Sequence, residues 1–183
     1  MLHAHLVGSR LYGAGLLGAD VDIVVELSPG TQEVLLRGAH TVHGELRPED
    51  LARMASVQAL LRVRRHLEVE EMSGSWRAVE MALDARRPTL RVEKKLLGPQ
   101  GTRWMQVEVT FDQSLATLRK SELLARAGGG DARPLQLALL LRLWAEARGI
   151  VGQKNGYLSG YAVCLLAVFY CQCKGLLGGL APR

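Results

Sequence analysis

The chain has 183 residues, 48% hydrophobic and 22% charged. That balance excludes a largely disordered protein and suits one domain, or one domain and part of another. The net charge of +5 comes from 23 basic and 18 acidic residues, and 18 of the basic residues are Arg. Arg favours phosphate partners because its planar fork grips oxygens in pairs, yet a charge this small identifies no nucleic-acid binder. Three cysteines, Cys164, Cys171 and Cys173, fall short of a disulfide framework. The start carries no charged segment followed by a long apolar run, so no signal peptide is visible.

In chain order, a short apolar run at residues 5–7 ends at Gly8-Ser9. Residues 21–27 alternate acids with β-branched side chains and predict a strand. Gly13, Gly15 and Gly18 between them oppose a continuous helix. Ser28-Pro29-Gly30 predicts a turn that closes the strand. Residues 31–48 are weakly patterned and are not placed. Pro48-Glu49-Asp50 predicts a helix start, followed by Leu51, Met54, Val57, Leu60, Leu61, Val63 and Leu67 at helical spacing.

Residues 76–83 and 89–92 predict two extended runs joined through Arg86-Arg87-Pro88. Gly98-Pro99-Gln100-Gly101 predicts a turn. A strand over 104–111 places Met105, Val107, Val109 and Phe111 on one face and Gln106, Glu108 and Thr110 on the other. Beyond it the pattern predicts three helices, 115–127, 134–148 and 157–174, separated by Gly128-Gly129-Gly130 and the stretch from Gly149 to Gly156. The apolar run 157–173 reads as a buried helix of a soluble domain; it sits at the short limit for a membrane span and contains Ser159, Gly160 and Gln172. The expected fold class is α+β: a small mixed β-sheet domain over 1–114, then a partial all-helical domain over 115–183.

The stretch with chemical content is Val7-Gly8-Ser9-Arg10-Leu11-Tyr12-Gly13, a spacer, and then Asp20-Val21-Asp22-Ile23-Val24-Val25. A strand ending at Gly8-Ser9 lets backbone approach a ligand, and Ser9 offers a hydroxyl and an N–H to an anion. Asp20 and Asp22 are two apart on a strand, so both carboxylates share a face. Parallel carboxylates repel unless they share a cation, and Mg²⁺ is held by such carboxylates together with substrate phosphates. A third carboxylate is expected on a neighbouring strand, and Glu108 is the candidate. Alone, a Gly-Ser, an Asp-x-Asp or a strand Glu is commonplace; the order and spacing together predict a site for a metal and a nucleoside triphosphate.

At these residues the chain resembles the nucleotidyltransferase superfamily of DNA polymerase β type. Glu108-Val109-Thr110-Phe111 is similar to the family's third-carboxylate strand. Residues 137–150, with Arg142, Trp144 and Arg148-Gly149-Ile150, resemble a helix of the non-canonical poly(A) polymerases and terminal uridylyltransferases. Gly156-Tyr157-Leu158-Ser159-Gly160-Tyr161 resembles that branch's Leu-Ser-Ser-Tyr segment, with a trypanosomatid flavour. The resemblance implies a nucleotidyltransferase catalytic domain followed by part of a helical central domain. It implies that Gly8 and Ser9 hold the triphosphate and that Asp20, Asp22 and Glu108 bind Mg²⁺ or Mn²⁺. Ser159 would lie near the nucleotide and Tyr161 would stack on its base.

Three residues depart from the family's pattern. Glu108 stands for an Asp and is one methylene longer. Arg142 and Glu146 stand where the family has two Lys, so the resemblance implies Arg142 as a phosphate ligand, while Glu146 reverses a charge. Lys120 stands for the ribose-contacting Asn and could contact phosphate instead. The implied activity is addition of UMP or AMP from UTP or ATP to an RNA 3′ hydroxyl. The alternative is a weak or inactive relative that binds RNA or protein within a larger ribonucleoprotein assembly. A transferase acting on a small molecule or protein is a further rival, opposed by the Trp144 and Tyr161 segments. Neither DNA nor a membrane is expected as a partner. The implied location is intracellular, mitochondrial or cytoplasmic. The chain is also expected to be a fragment, because it begins at the motif's strand and ends after one long helix.

The remaining groups are less specific. Arg62, Arg64 and Arg65, and Arg86, Arg87, Arg91, Lys94 and Lys95, read equally as RNA-backbone contacts or as solvated faces. His3, His5, His40, His43 and His66 show no metal-ligand spacing, and Cys164 and Cys171, seven apart, predict core packing.

Overall fold

The computed structural model describes residues 3–13, 15, 19–37, 47–71, 73–85, 87–99, 101–112, 115–127, 131–152 and 156–177. His40, His43, Gly18, Arg86, Gln100 and Gly128-Gly129-Gly130 lie outside the described residues. The chain divides into two compact units, Met1–Leu6 with Asp20–Leu118, and Val7–Ala19 with Arg119–Arg183.

The first unit is built on a five-stranded mixed sheet of β1 (His3–Val7), β2 (Val21–Glu26), β3 (Trp76–Ala82), β4 (Thr89–Gly98) and β5 (Gly101–Phe111), in the order β1-β2-β5-β4-β3. β2 and β5 run parallel, whereas β5–β4 and β4–β3 are antiparallel. A parallel pair needs a long crossover. Here it carries α1 (Pro29–Leu36), α2 (Pro48–Glu71), β3 and β4. The core joins Leu27, Leu35, Leu36, Ala55, Ala59, Leu60, Leu90, Val92, Val107 and Phe111. Ala55 and Ala59 let α2 lie close on the sheet, and the Ser56 hydroxyl donates to the carbonyl oxygens of Ala52 (2.9 Å) and Phe111 (3.3 Å).

Ser28-Pro29-Gly30 opens α1 where a turn was expected. The Ser28 hydroxyl accepts the Thr31 N–H at 3.3 Å, and Pro29 occupies a first-turn position where its missing N–H costs nothing. β4 runs six residues past the apolar stretch to Gly98, because its polar Glu93-Lys94-Lys95 segment is paired along β5 as far as the Gly98–Gly101 turn. Gly101 has φ +103°, a conformation side chains with a Cβ rarely adopt.

The second unit contains α3 (Ala116–Ala127), most of which belongs to it, with α4 (Arg133–Ala147) and α5 (Gly160–Cys173). Its core joins Tyr12, Leu124, Ala127, Ala138, Cys164, Ala167 and Val168. Tyr12 is the reason that residues 7–19 belong with the helices: its ring fills their core. α4 and α5 end alike. Gly149 (φ +66°) and Gly175 (φ +67°) follow them in the left-handed region, and the N–H groups of Ile150 and Leu176 donate back to Ala145 and Cys171. α5 begins at Gly160, later than expected, because Leu158 pairs with Val151 in a short parallel bridge and Ser159 caps the helix. Cys164 and Cys171 are buried, as their spacing predicts. No described helix is long and apolar enough to cross a membrane.

Leu60 is fully buried where α2 meets the sheet. Leu60→Ala is expected to destabilise the protein by about 2–5 kcal/mol, read as a lower urea midpoint.

Candidate functional site

In the sheet unit, the parallel register sets Asp22 opposite Glu108. Residues opposite one another on paired strands share a face, so these two carboxylates are neighbours. Asp20 lies just before β2, two residues from Asp22. The row continues across the sheet, since Glu108 is opposite Arg91 and Arg91 is opposite Glu80. Arg91 bridges its neighbours: Nη1 donates to Glu80 Oε2 at 2.8 Å and Nη2 to Glu108 Oε2 at 3.3 Å. Asp22, Glu108, Arg91 and Glu80 thus form a cross-strand row in which one cation offsets part of the repulsion among three acids.

Hard carboxylate oxygens in adjacent register suit a divalent cation such as Mg²⁺. In this arrangement the acids have not closed on one point: among the described residues no three His, Cys, Asp or Glu side chains are grouped as metal ligands. Glu108 is turned by one oxygen toward Arg91.

In the helical unit, Gly8 has φ +71° and opens a 3₁₀ turn, Gly8–Arg10, in which Ser9 is buried. The Gly8 N–H donates to the Ser121 hydroxyl of α3 at 2.9 Å. Arg10 closes the following loop, its Nε and Nη2 donating to the Ala19 carbonyl at 3.1 and 2.6 Å. A Cβ on Gly15 would come within 3.3 Å of the Arg10 side chain. Ser121 and Arg10 are the ties that hold the Gly-Ser segment. Neither tie is legible in the sequence, since each acts through a partner distant in the chain or through a backbone oxygen.

Lys120 is exposed on α3. Arg142 donates from Nε to Glu146 Oε1 at 2.7 Å, one helical turn along α4. The charge reversal at Glu146 is therefore directed at Arg142. Gly160 gives that guanidinium room, because a Cβ there would meet Arg142 Nε at 3.3 Å. The Ser159 hydroxyl accepts the Ala162 N–H at 3.1 Å as the cap of α5. Tyr161 packs half-buried against the helical core. Burial, with a smaller contribution from Cys164, pushes its hydroxyl pKa up. Burial likewise raises that of the Cys164 thiol.

Several basic residues are engaged. Arg64 pairs with Glu68, Arg87 with the Thr117 hydroxyl, and Arg77 with Glu93, whose carboxyl this hydrogen bond holds below its ordinary range. Lys94 lies over the Trp76 ring at 4.4 Å.

The architecture matches solved nucleotide-bound enzymes. Against the Cid1 poly(U) polymerase bound to MgGTP the TM-score is 0.57, at 20% identity, covering 90% of this chain and 42% of that one. Against terminal uridylyl transferase 4 from Trypanosoma brucei, with bound UTP and UMP, it is 0.58 at 19% identity, covering 97% and 49%. The chain has the nucleotidyltransferase fold. In sequence it is 31% identical over 100 residues to Protein HESO1 of Arabidopsis thaliana, covering 55% of this chain and 18% of that protein. It is 31% identical over 97 residues to the speckle targeted PIP5K1A-regulated poly(A) polymerase of Danio rerio, covering 51% and 11%. No protein-family model matches. The resemblance to the superfamily, and to its terminal uridylyltransferase and non-canonical poly(A) polymerase branch, is borne out. The chain spans less than half of these structures and less than a fifth of these relatives.

Ser121→Ala leaves the Gly8 N–H without its hydroxyl acceptor. The loss should cost about 1–2 kcal/mol, measurable as a lower unfolding midpoint of the protein without nucleotide.

Proposed function

We propose that this chain adds nucleoside monophosphates, without a template, to the 3′ hydroxyl of RNA, with UMP from UTP the preferred unit and AMP from ATP the competitor. The observation that carries the reading is the in-register pair of Asp22 and Glu108, preceded by Asp20, on a nucleotidyltransferase fold. The kinship with poly(U) and poly(A) polymerases supports RNA as the acceptor.

Asp20, Asp22 and Glu108 would hold Mg²⁺ or Mn²⁺, which neutralises phosphate charge as it develops. The RNA 3′ oxygen attacks the α-phosphorus, an O–P bond forms, and the bond to the β-phosphate breaks to release pyrophosphate. Glu108 accepts the proton of the 3′ hydroxyl. Arg91, donating to Oε2, keeps that carboxylate oriented on the sheet face. Gly8 and Ser9 take the triphosphate, with Lys120 and Arg142 as its cationic contacts. Ser159 and Tyr161 would serve the nucleoside, as the resemblance implies.

A second reading has its own observation. Glu108 is tied to Arg91, and the carboxylates are not grouped as a ligand set among the described residues. On that reading the fold is kept for binding RNA within a ribonucleoprotein assembly and turnover is weak or lost.

A primer-extension assay decides between them, with a 3′-hydroxyl oligonucleotide, each triphosphate in turn and Mg²⁺ or Mn²⁺. Extension with UTP ahead of ATP is expected. Asp20→Asn and Asp22→Asn should abolish it, and Glu108→Gln should slow it by about a hundredfold or more. No extension by the folded native chain, with RNA binding retained, would establish the second reading.

A further inference from the structure

The face of the sheet that carries Glu108 continues toward the β4–β5 turn, and its next features are aromatic and cationic. Along β5, side chains on one face recur every second residue, which places Trp104 and Gln106 on the face of Glu108. Trp104 is opposite Lys95 on β4, and Gln106 is opposite Glu93, which is opposite Arg77 on β3. The Arg77 guanidinium lies 4.3 Å from the centre of the Trp104 ring. The Arg77 side chain is 54% exposed, and Trp104 is 37% exposed. Lys95 is exposed beside them.

Trp76 provides the internal contrast. It carries a cation as well, Lys94, but it lies on the opposite face and packs against the hydrophobic core. Burial accounts for Trp76. Trp104 belongs to neither core cluster, so a large ring is held open to solvent on a polar face by a stacked cation. Glu93 offsets the charge of Arg77 but leaves its guanidinium stacked on the ring. Glu93, the acid nearest it, is 12% exposed, is bound by Arg77 and takes the Gln106 amide at 3.3 Å. An exposed ring flanked by cations is the arrangement that stacks the bases of single-stranded nucleic acid and attracts its backbone.

We propose that Trp104, with Arg77 and Lys95, is a stacking platform for a base upstream of the RNA 3′ end, so that the acceptor strand runs along β5 from Glu108 toward the β4–β5 turn. The inference rests on the RNA-acceptor reading above and adds to it a path for the strand. Trp104 lies four residues from Glu108, about 14 Å at the rise of an extended strand. A mononucleotide or dinucleotide at the acids cannot reach it, whereas a longer strand can. Stacking is indifferent to base identity, so the platform confers length dependence without sequence preference.

The test is affinity against length, using 3′-hydroxyl oligouridylates from a dinucleotide to about twelve nucleotides on the native chain. Native affinity should rise with length. Trp104→Thr, which keeps a strand-forming residue, should lose about tenfold on the longest oligonucleotide and nothing on the dinucleotide or on UTP. In a Trp76→Phe, Trp144→Phe background, the remaining Trp104 fluorescence should be quenched by the long oligonucleotide and not by UTP. This readout does not require the Trp104 variant to fold. Equal affinity of Trp104→Thr and native protein for the long strand, or unchanged Trp104 fluorescence on binding, overturns the platform. If the native chain extends primers while either of those results is obtained, the platform alone fails. If it neither extends nor binds RNA, the RNA-acceptor reading fails as well.

Discussion

The pairing of β2 with β5 is the constraint on which the rest of the sheet unit depends. It is parallel, so its strands cannot be joined by a tight turn, and the chain between them must supply the crossover. That crossover contains α1, α2, β3 and β4, which provide most of the hydrophobic core. The same pairing fixes the chemistry. A slip of one residue would turn Glu108 into the core and Val107 or Val109 onto the polar face. What prevents the slip is apolar: Val107 and Phe111 are buried in the core, with Met105 and Val109 packed against it. The positions of the acids are thus determined by their hydrophobic neighbours on alternate residues.

The glycine-serine segment depends on a different set of forces. It follows β1, yet it is anchored to the helices, through Tyr12 in their core and the hydrogen bond from Gly8 to Ser121. Arg10 then ties its guanidinium to the carbonyl of Ala19, the residue before Asp20. A loop with glycines at 13 and 15 would be costly to order by backbone entropy alone. One buried ring and two side-chain ties supply the restraint without regular secondary structure.

The strongly patterned parts were legible in the sequence. Alternation located β2 and residues 104–111 of β5, helical spacing located α2, and the glycine-rich separators located the ends of α3 and α4. Legibility failed where one residue type serves two local structures. Ser-Pro-Gly satisfies both a turn and a helix cap, and the choice falls to α1 because Leu35 and Leu36, late in that helix, can then be buried. β4 beyond Val92 was illegible for another reason: Glu93-Lys94-Lys95 has no apolar alternation, and only a partner strand makes it extended. The acids Asp20, Asp22 and Glu108 stood out as candidates because a recurring pattern carries them. The Arg91–Glu108 pair, Ser121 and the Arg77–Trp104 contact were missed because each depends on a partner brought near by the fold.

The arginine excess also takes on a definite meaning. Arg47, Arg64, Arg77, Arg91, Arg133 and Arg142 each pair with a carboxylate, so part of the positive charge is engaged within the protein. Arg142 shows the consequence. Its Glu146 partner is one turn away on the same helix, an i,i+4 pair that contributes little by itself, so a triphosphate would compete with that carboxylate for the guanidinium. Arg91 is different, because its two carboxylates lie on adjacent strands on either side of it and hold it in the sheet. On the proposed reaction that difference divides the work: Arg142 is a cation that can be exchanged onto substrate, whereas Arg91 stays with Glu108. The longer side chain of Glu108 suits this division, since one carboxylate oxygen can remain on Arg91 while the other meets the 3′ hydroxyl.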